Sequence, residues 1–407
     1  MGLEKREETK LLPSYGRKRI MILAEAYREL SNSFRDMEKE MPQKSMDRRE
    51  FMYRKGLQEN QKIMELRLKE MAERMEELAE ESLNYSAPNS RKVRILKNGL
   101  AKHGILLKDI FLIRKKSGMQ FVLTMRGQRN ADYTAEDIAE ILTEMFGMPL
   151  VSAKENLFFI AYEYDTYLFE YKGRYEFETG IATATKENEV ISGDNSLVYD
   201  ISGNQRVCLI SDGAGSGEEA CKDSERAIEL LEKYMDIGFG LPEAADMVNS
   251  IFVSQGRDLN MPTLDACCID LVEGKATFRK YGACDSFIKR GKKLERIKSQ
   301  SYPLGFRLSP SSDGESEDIF EQISINDMSD CEYELGEDDY VLMFSDGVLE
   351  CFSDEKALLK AFTGMEPATP REVANYLMQC AIRRCGGHIR DDMTILVGKL
   401  NASGGCT

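Results

Sequence analysis

Two strings in the C-terminal half constrain this chain more than anything else in it: VCLISDGAGSGEEA around Asp212 and YVLMFSDGVLE around Asp346. In each, an apolar run long enough for a buried strand ends on an Asp-Gly pair where the backbone would leave the sheet. A single Asp-Gly is among the commonest turn dipeptides and closes many hairpins. Two further acidic positions repeat the arrangement: Asp194 in EVISGDNSLVYDI and the Asp391-Asp392 pair in IRDDMTILVGKL, each abutting a strand-like segment. Four carboxylate positions at strand ends can converge on hard divalent cations, which prefer oxygen ligands. The pattern points to a binuclear hydrolase.

Composition removes other classes. The chain has 407 residues, 42% of them hydrophobic, enough for two domains or for one large domain with an extension. No apolar stretch approaches the roughly 20 residues of a membrane-spanning helix, and the opening MGLEKREETK has no apolar region behind it. The expectation is a cytoplasmic chain, or the cytoplasmic portion of a longer membrane-anchored one. A net charge of −15 argues against a nucleic-acid partner, which needs a basic face. Ten cysteines lack paired zinc-ligand spacing and are expected to be reduced thiols. With only His103 and His388, a zinc site with several His ligands and a kinase catalytic loop are excluded. His103, before Gly104, reads as a helix C-cap, whereas His388 lies close enough to Asp391 to neighbour the site.

Three regions follow one another. Residues 1–90 are helical: Ile20, Leu23, Tyr27, Leu30, Phe34, Met37 and Met41 alternate in steps of three and four, and Leu57, Met64, Leu68, Met71, Met75 and Leu78 repeat the rhythm, the seam of a helix seeking a partner helix. An intramolecular hairpin and a homo-oligomeric rod both satisfy it. Residues 91–172 read as a small α+β module without a catalytic cluster: a helix at Val93 to Lys102, strands at Ile105 to Arg114 and Met119 to Arg126, a helix at Thr134 to Phe146 opened by a capping-box-like Thr134/Asp137, then strands near Leu150 and at Phe158 to Tyr164. From 173 to 402 many strand-like runs enclose two helical segments, Gly217 to Asp236 and Pro242 to Gln255, hinged at GFG. The fold class is α+β, with antiparallel sheets covered by helices.

The ordered run SGD, SDGAGSGEEA, PTLDACCIDL, ATFRKYGACDSFIKRG, YPLGF, SDGV and DDMT resembles the metal-dependent serine/threonine phosphatases of the PPM class, in particular the sporulation phosphatases of stage II sporulation protein E type. The resemblance implies a β-sandwich of two antiparallel sheets flanked by helices, with two Mn2+ or Mg2+ ions at one end. It makes Asp212 a ligand shared by both ions, the Gly213 carbonyl a ligand of one, Asp346 and Asp391 ligands of the other, and Asp194 a direct or water-mediated ligand; Asp392 is left out. It further implies a phosphorylated anti-anti-sigma (STAS-type) protein as substrate, and regulation passing from the N-terminal helices to the helical pair after Asp212. Many PPM phosphatases carry a histidine just after the first Asp-Gly and an arginine on the phosphate; Ala214 and Gly215 stand here instead, leaving Arg390 and His388 as candidates by position.

Three rival readings are weaker. GAGSG after a strand imitates a dinucleotide-binding turn, but Glu218 falls where the third glycine belongs. Cys284 and Arg290 have the Cys-x5-Arg spacing of a phosphate loop, but Ser286, Phe287 and Ile288 continue a strand. A non-catalytic assembly protein of the same fold would not need all the carboxylates it retains.

Overall fold

The computed structural model describes residues 20–32, 35, 62, 64–77, 79, 85–86, 88–115, 118–128, 132–153, 156–202, 204–255, 261–298, 301–306, 331–352, 355–363 and 369–403. The chain divides into two units, Met1–Lys172 and Gly173–Thr407. Among the described residues no helix is long and apolar enough to cross a membrane.

In the first unit, helices α1 (20–32) and α2 (64–77) touch each other. The Ser31 hydroxyl donates to the Glu65 carbonyl at 2.8 Å, and Arg28 pairs with Glu76 at 2.8 Å. The buried seam differs from the expected one. Ala24, Ser31, Ala72 and Ala79 are buried, while Leu23, Leu30 and Met64 are exposed. Small residues let two helices approach closely, because the side chains at the contact set the interaxial distance. Of the seam residues read from sequence, Phe34, Met37, Met41, Leu57 and Leu78 lie outside the described residues.

The rest of that unit is a five-stranded sheet in the order β1 (Tyr85–Ser86), β2 (Ile105–Lys115), β3 (Gly118–Gly127), β5 (Asp165–Tyr171) and β4 (Leu150–Ser152). Helices α3 (Ser90–Lys102) and α4 (Ala135–Phe146) contribute to its apolar core. His103 is the C-cap of α3, and Thr134 with Asp137 forms a reciprocal capping box on α4. The expected strand at Phe158 to Tyr164 is not one. It makes a single bridge from Phe159 to Thr134, and Phe158, Phe159, Tyr162 and Tyr164 stand exposed. The strand is the next segment, where alternation buries Tyr167 and Phe169 completely. An aromatic run without a period of two does not separate strand from exposed connection.

The second unit is a sandwich of two five-stranded antiparallel sheets. One runs β13 (Cys331–Glu334), β10 (Lys275–Tyr281), β9 (Leu264–Asp270), β8 (Gln205–Asp212), β7 (Asp194–Ser202); the other runs β12 (Lys293–Ile297), β11 (Ser286–Arg290), β14 (Tyr340–Phe344), β15 (Met393–Ala402), β6 (Tyr175–Ala184). Between them Ile210, Ile269 and Phe278 meet Ile288, Met343 and Leu396 in one core. Helices α5 (Glu218–Ile237) and α6 (Leu241–Gln255) lie against the first sheet; α7 (Asp346–Leu349), α8 (Glu355–Thr363) and α9 (Pro370–Arg384) lie against the second. Strands covered on both faces read as continuous apolar runs, which is why VCLIS and YVLMF stand out. Sequence reading missed β12 and β13, which are short and polar.

One cysteine expectation is corrected. Cys351 and Cys385 form a disulfide, with Cα atoms 5.7 Å apart. Cys351, two residues past α7, and Cys385, the C-cap of α9, are brought together by packing across 34 positions of sequence, a proximity that spacing alone does not reveal.

Candidate metal centre

Asp194 opens β7 and Asp212 closes β8, and the two face each other in the antiparallel ladder. Directly opposed side chains of such a pair have Cβ atoms about 4.5–5.5 Å apart. Asp212 is tied to the neighbouring segment through both main-chain groups: its N–H donates to the Thr263 hydroxyl at 3.0 Å, and its carbonyl accepts the Thr263 N–H at 2.8 Å. The chain then passes so close to α5 that a Cβ on Gly213 would overlap the Ala220 carbonyl. Neither Gly213 nor Gly347 has a left-handed backbone; what each needs is space.

The second sheet delivers the other two positions. Ser345 crosses to β15, its N–H donating to the Thr394 carbonyl at 3.0 Å and its hydroxyl accepting the Thr394 N–H at 2.8 Å. This lock sets Asp346, the first residue of α7, beside the Asp391-Asp392 loop, so tightly that a Cβ on Gly347 would overlap the Asp392 carbonyl. Asp391 keeps 47% of its side chain exposed and lies 3.6 Å from the Lys186 ammonium. Asp392 is 4% exposed, and its two oxygens accept the N–H groups of Lys186 at 2.9 Å and Gly193 at 2.8 Å. It is a cross-tie.

The electrostatics show what this arrangement costs. Burial, reinforced by the charges of Asp194, Asp346 and Asp391, pushes the Asp212 carboxyl up to about 8. Burial raises Asp194 to about 6 despite the nearby Ser345 and Thr394 hydroxyls, and it also raises Asp346. Both Asp194 oxygens are buried without a hydrogen-bond partner. Orphaned buried carboxylate oxygens are expensive, a cost that a proton or a bound cation would relieve. Among the described residues no three His, Cys, Asp or Glu side chains already form a metal cage; the carboxylates share a neighbourhood without a closed shell. The donors present are all oxygen, which suits a hard divalent cation.

A cavity of about 100 Å³ opens at this point, lined among others by Asp212, Thr263, Asp265, Cys284, Ser345 and Asp346. Asp265 and its buried partner Lys280 were missed by sequence reading. The signal available was a charge placed inside apolar strand runs, LDACC and FRKY. His388 points to Glu187, 3.1 Å away, and is 68% exposed; Arg390 is exposed. The Cys284 thiol donates to the Phe344 carbonyl at 2.7 Å, and Arg290 pairs with Asp339 at 2.9 Å, so these two are engaged separately and form no phosphate loop.

Residues 202–401 match the family described as stage II sporulation protein E (SpoIIE). The stage II sporulation protein E of Priestia megaterium is 30% identical over 267 residues, 65% of this chain and 43% of that protein. That of Bacillus subtilis (strain 168) is 30% identical over 231 residues, 56% of this chain and 26% of that protein. The chain thus spans less than half the length of either relative. Among solved structures, the PP2C phosphatase domain with a fragment of the regulatory domain of Bacillus subtilis SpoIIE aligns with a TM-score of 0.61 at 23% identity, covering 88% of this chain and 100% of that one. That likeness establishes the fold.

Proposed function

We propose, from the match of residues 202–401 to the SpoIIE family and the likeness of the fold to a PP2C phosphatase domain, that the chain is a metal-dependent protein serine/threonine phosphatase. The observation that carries the reading is the Asp194 carboxylate, buried and without a hydrogen-bond partner, opposed to Asp212 with its strongly raised pKa. Asp212 would be shared by two Mn2+ or Mg2+ ions, with the Gly213 carbonyl on one, Asp346 and Asp391 on the other, and Asp194 directly or through water. When bound, such a pair supplies a nucleophile at neutral pH and neutralises charge on the phosphoryl oxygens.

The chain's own residues do the positioning. Thr263 fixes the main chain of Asp212, and the Ser345–Thr394 lock fixes Asp346 against Asp391. Asp392 holds residues 186 and 193 to the start of β15. Because Gly213 is pressed onto the first turn of α5, a displacement of α5 and α6 about Gly238 would move the Gly213 carbonyl; a shift of about 1 Å can cost about 100-fold in rate.

The substrate in this reading is a phosphoserine or phosphothreonine of an anti-anti-sigma protein of STAS type, whose dephosphorylation activates a sporulation sigma factor. The name borne by both relatives supports a place in sporulation; the substrate itself is what the family resemblance implies. Residues 1–90 serve as a helical segment with a role in self-association, 91–172 as a regulatory module and 173–402 as the phosphatase. The test is manganese-dependent phosphate release from such a protein and from p-nitrophenyl phosphate. Activity in the wild type, lost on chelation and in Asp212→Asn and Asp346→Asn, is the expected result. A wild type that binds manganese and releases no phosphate from either compound would sink the reading.

A further inference from the structure

The cavity beside Asp212 and Asp346 has a charged residue in its wall that the proposed ligand set leaves unused. Asp265 on β9 is 1% exposed and Lys280 on β10 is 7% exposed. The Lys280 ammonium donates to Asp265 Oδ2 at 2.6 Å, to the Cys284 carbonyl at 2.9 Å and to Ser286 Oγ at 2.7 Å, which uses all three of its donors. Ser286 Oγ in turn donates to Asp265 Oδ2 at 2.6 Å. One carboxylate oxygen is therefore held by two partners, while the other, Oδ1, is buried and accepts nothing.

Stability does not explain this group. A buried ion pair often breaks even against a well-packed apolar pair of the same volume, and an unpaired buried carboxylate oxygen is a further cost. Asp265 shares the cavity with Asp212 and Asp346. Its volume of about 100 Å³ is ample for ordered water, and a polar wall can hold it.

We propose that Asp265, anchored by Lys280 and Ser286, is a positioning residue that accepts a hydrogen bond through Oδ1 from the water held between Asp212 and Asp346, orienting that water for attack on phosphorus. This rests on the phosphatase reading. It requires a locked acceptor, and the network fixes Asp265 in place. Asp265 acts on the water and binds no cation itself, so turnover and metal affinity must separate.

The experiment uses the full chain loaded with manganese, with p-nitrophenyl phosphate as the probe. Asp265→Asn is expected to lower kcat about 10- to 100-fold, the range for residues supporting a metal site, with KM and manganese affinity, read by electron paramagnetic resonance of free Mn2+, within about threefold of wild type. Ser286→Ala removes one anchor without removing a charge and should lower kcat by less, again at unchanged affinity. A crystal structure of the manganese-loaded chain should show a water within hydrogen-bond distance of Asp265 Oδ1. Should Asp265→Asn fail to fold, Ser286→Ala and the crystal structure carry the test.

A kcat within about twofold of wild type in both variants would overturn the inference, as would a manganese affinity that falls in parallel with kcat or a loaded cavity with no water at Oδ1. A wild type that binds manganese but releases no phosphate would instead sink the phosphatase reading, and the crystal structure would still report whether Asp265 holds a water.

Discussion

At the end of the β7–β8 ladder Asp194 is buried, with neither carboxylate oxygen hydrogen-bonded, and the half-buried Asp212 stands opposite it. On the β14–β15 side, Asp391 keeps 47% of its side chain in solvent and lies beside Lys186. The first pair therefore carries an electrostatic cost when ionised, which a proton or a bound cation would relieve, and the second offers a solvated, adjustable contact. The difference suggests an order of importance: the buried pair anchors the site, and the exposed carboxylate trims it.

The sharpest way to break that comparison is Asp212→Asn. Turnover should fall by more than about 100-fold, beyond what losing a supporting residue costs, while the metal-free protein at pH 8 becomes more stable because a costly buried carboxylate is gone. Calorimetry showing the metal-free variant less stable than wild type would contradict the idea of stored cost. Gly213→Ala comes next. The added Cβ meets the Ala220 carbonyl, and overpacking of this kind costs about 1–3 kcal/mol; manganese affinity should drop at least about tenfold by isothermal titration. Asp391→Asn should cost only about tenfold in turnover, and an effect equal to that of Asp212→Asn would erase the distinction between the two sides.

The pH dependence sharpens the same point. The carboxyls of Asp194 and Asp212 are raised from 3.8 to about 6 and about 8, so the metal-free fold has their full contribution below pH 4 and loses it as pH rises through those values. Thermal melts in chelator should fall by several degrees between pH 5 and pH 8, since about 1 kcal/mol moves a unit of this size by roughly 2–4 °C. Saturating manganese should flatten the slope and release protons on binding near pH 7; a slope unaffected by manganese would detach these carboxylates from any cation. The smallest effect belongs to Cys284→Ser. Burial pushes this thiol well up and its one hydrogen bond is to a carbonyl, so turnover should stay within about twofold.

Much of the sandwich was legible because its strands announce themselves. SLVYDI, RVCLIS, YVLMF and MTILVGKL are apolar runs of strand length, and the acidic residues at their ends lie at the sheet ends where they were sought. The Thr134/Asp137 capping box and the His103 cap were equally readable, since a cap involves residues three or four apart. Failures came where the deciding contact was distant. Phe158 to Tyr164 has strand composition but only Ile160 buried among its large residues, and the α1–α2 seam runs through Ala24 and Ala72 where leucines and methionines were expected.

Local chemistry settled which residues could act as oxygen donors and where strands would end on them. Long-range packing settled the rest. The lock between Ser345 and Thr394 that carries Asp346 to Asp391, the engagement of Asp392 by the backbone and the Cys351–Cys385 bond join segments far apart in the chain, while the pairing of Asp194 with Asp212 and the burial of Asp265 on Lys280 depend on strand register within the folded sheet. A carboxylate's role depends on the dielectric and the partners around it, and those exist only once both sheets have closed over the core.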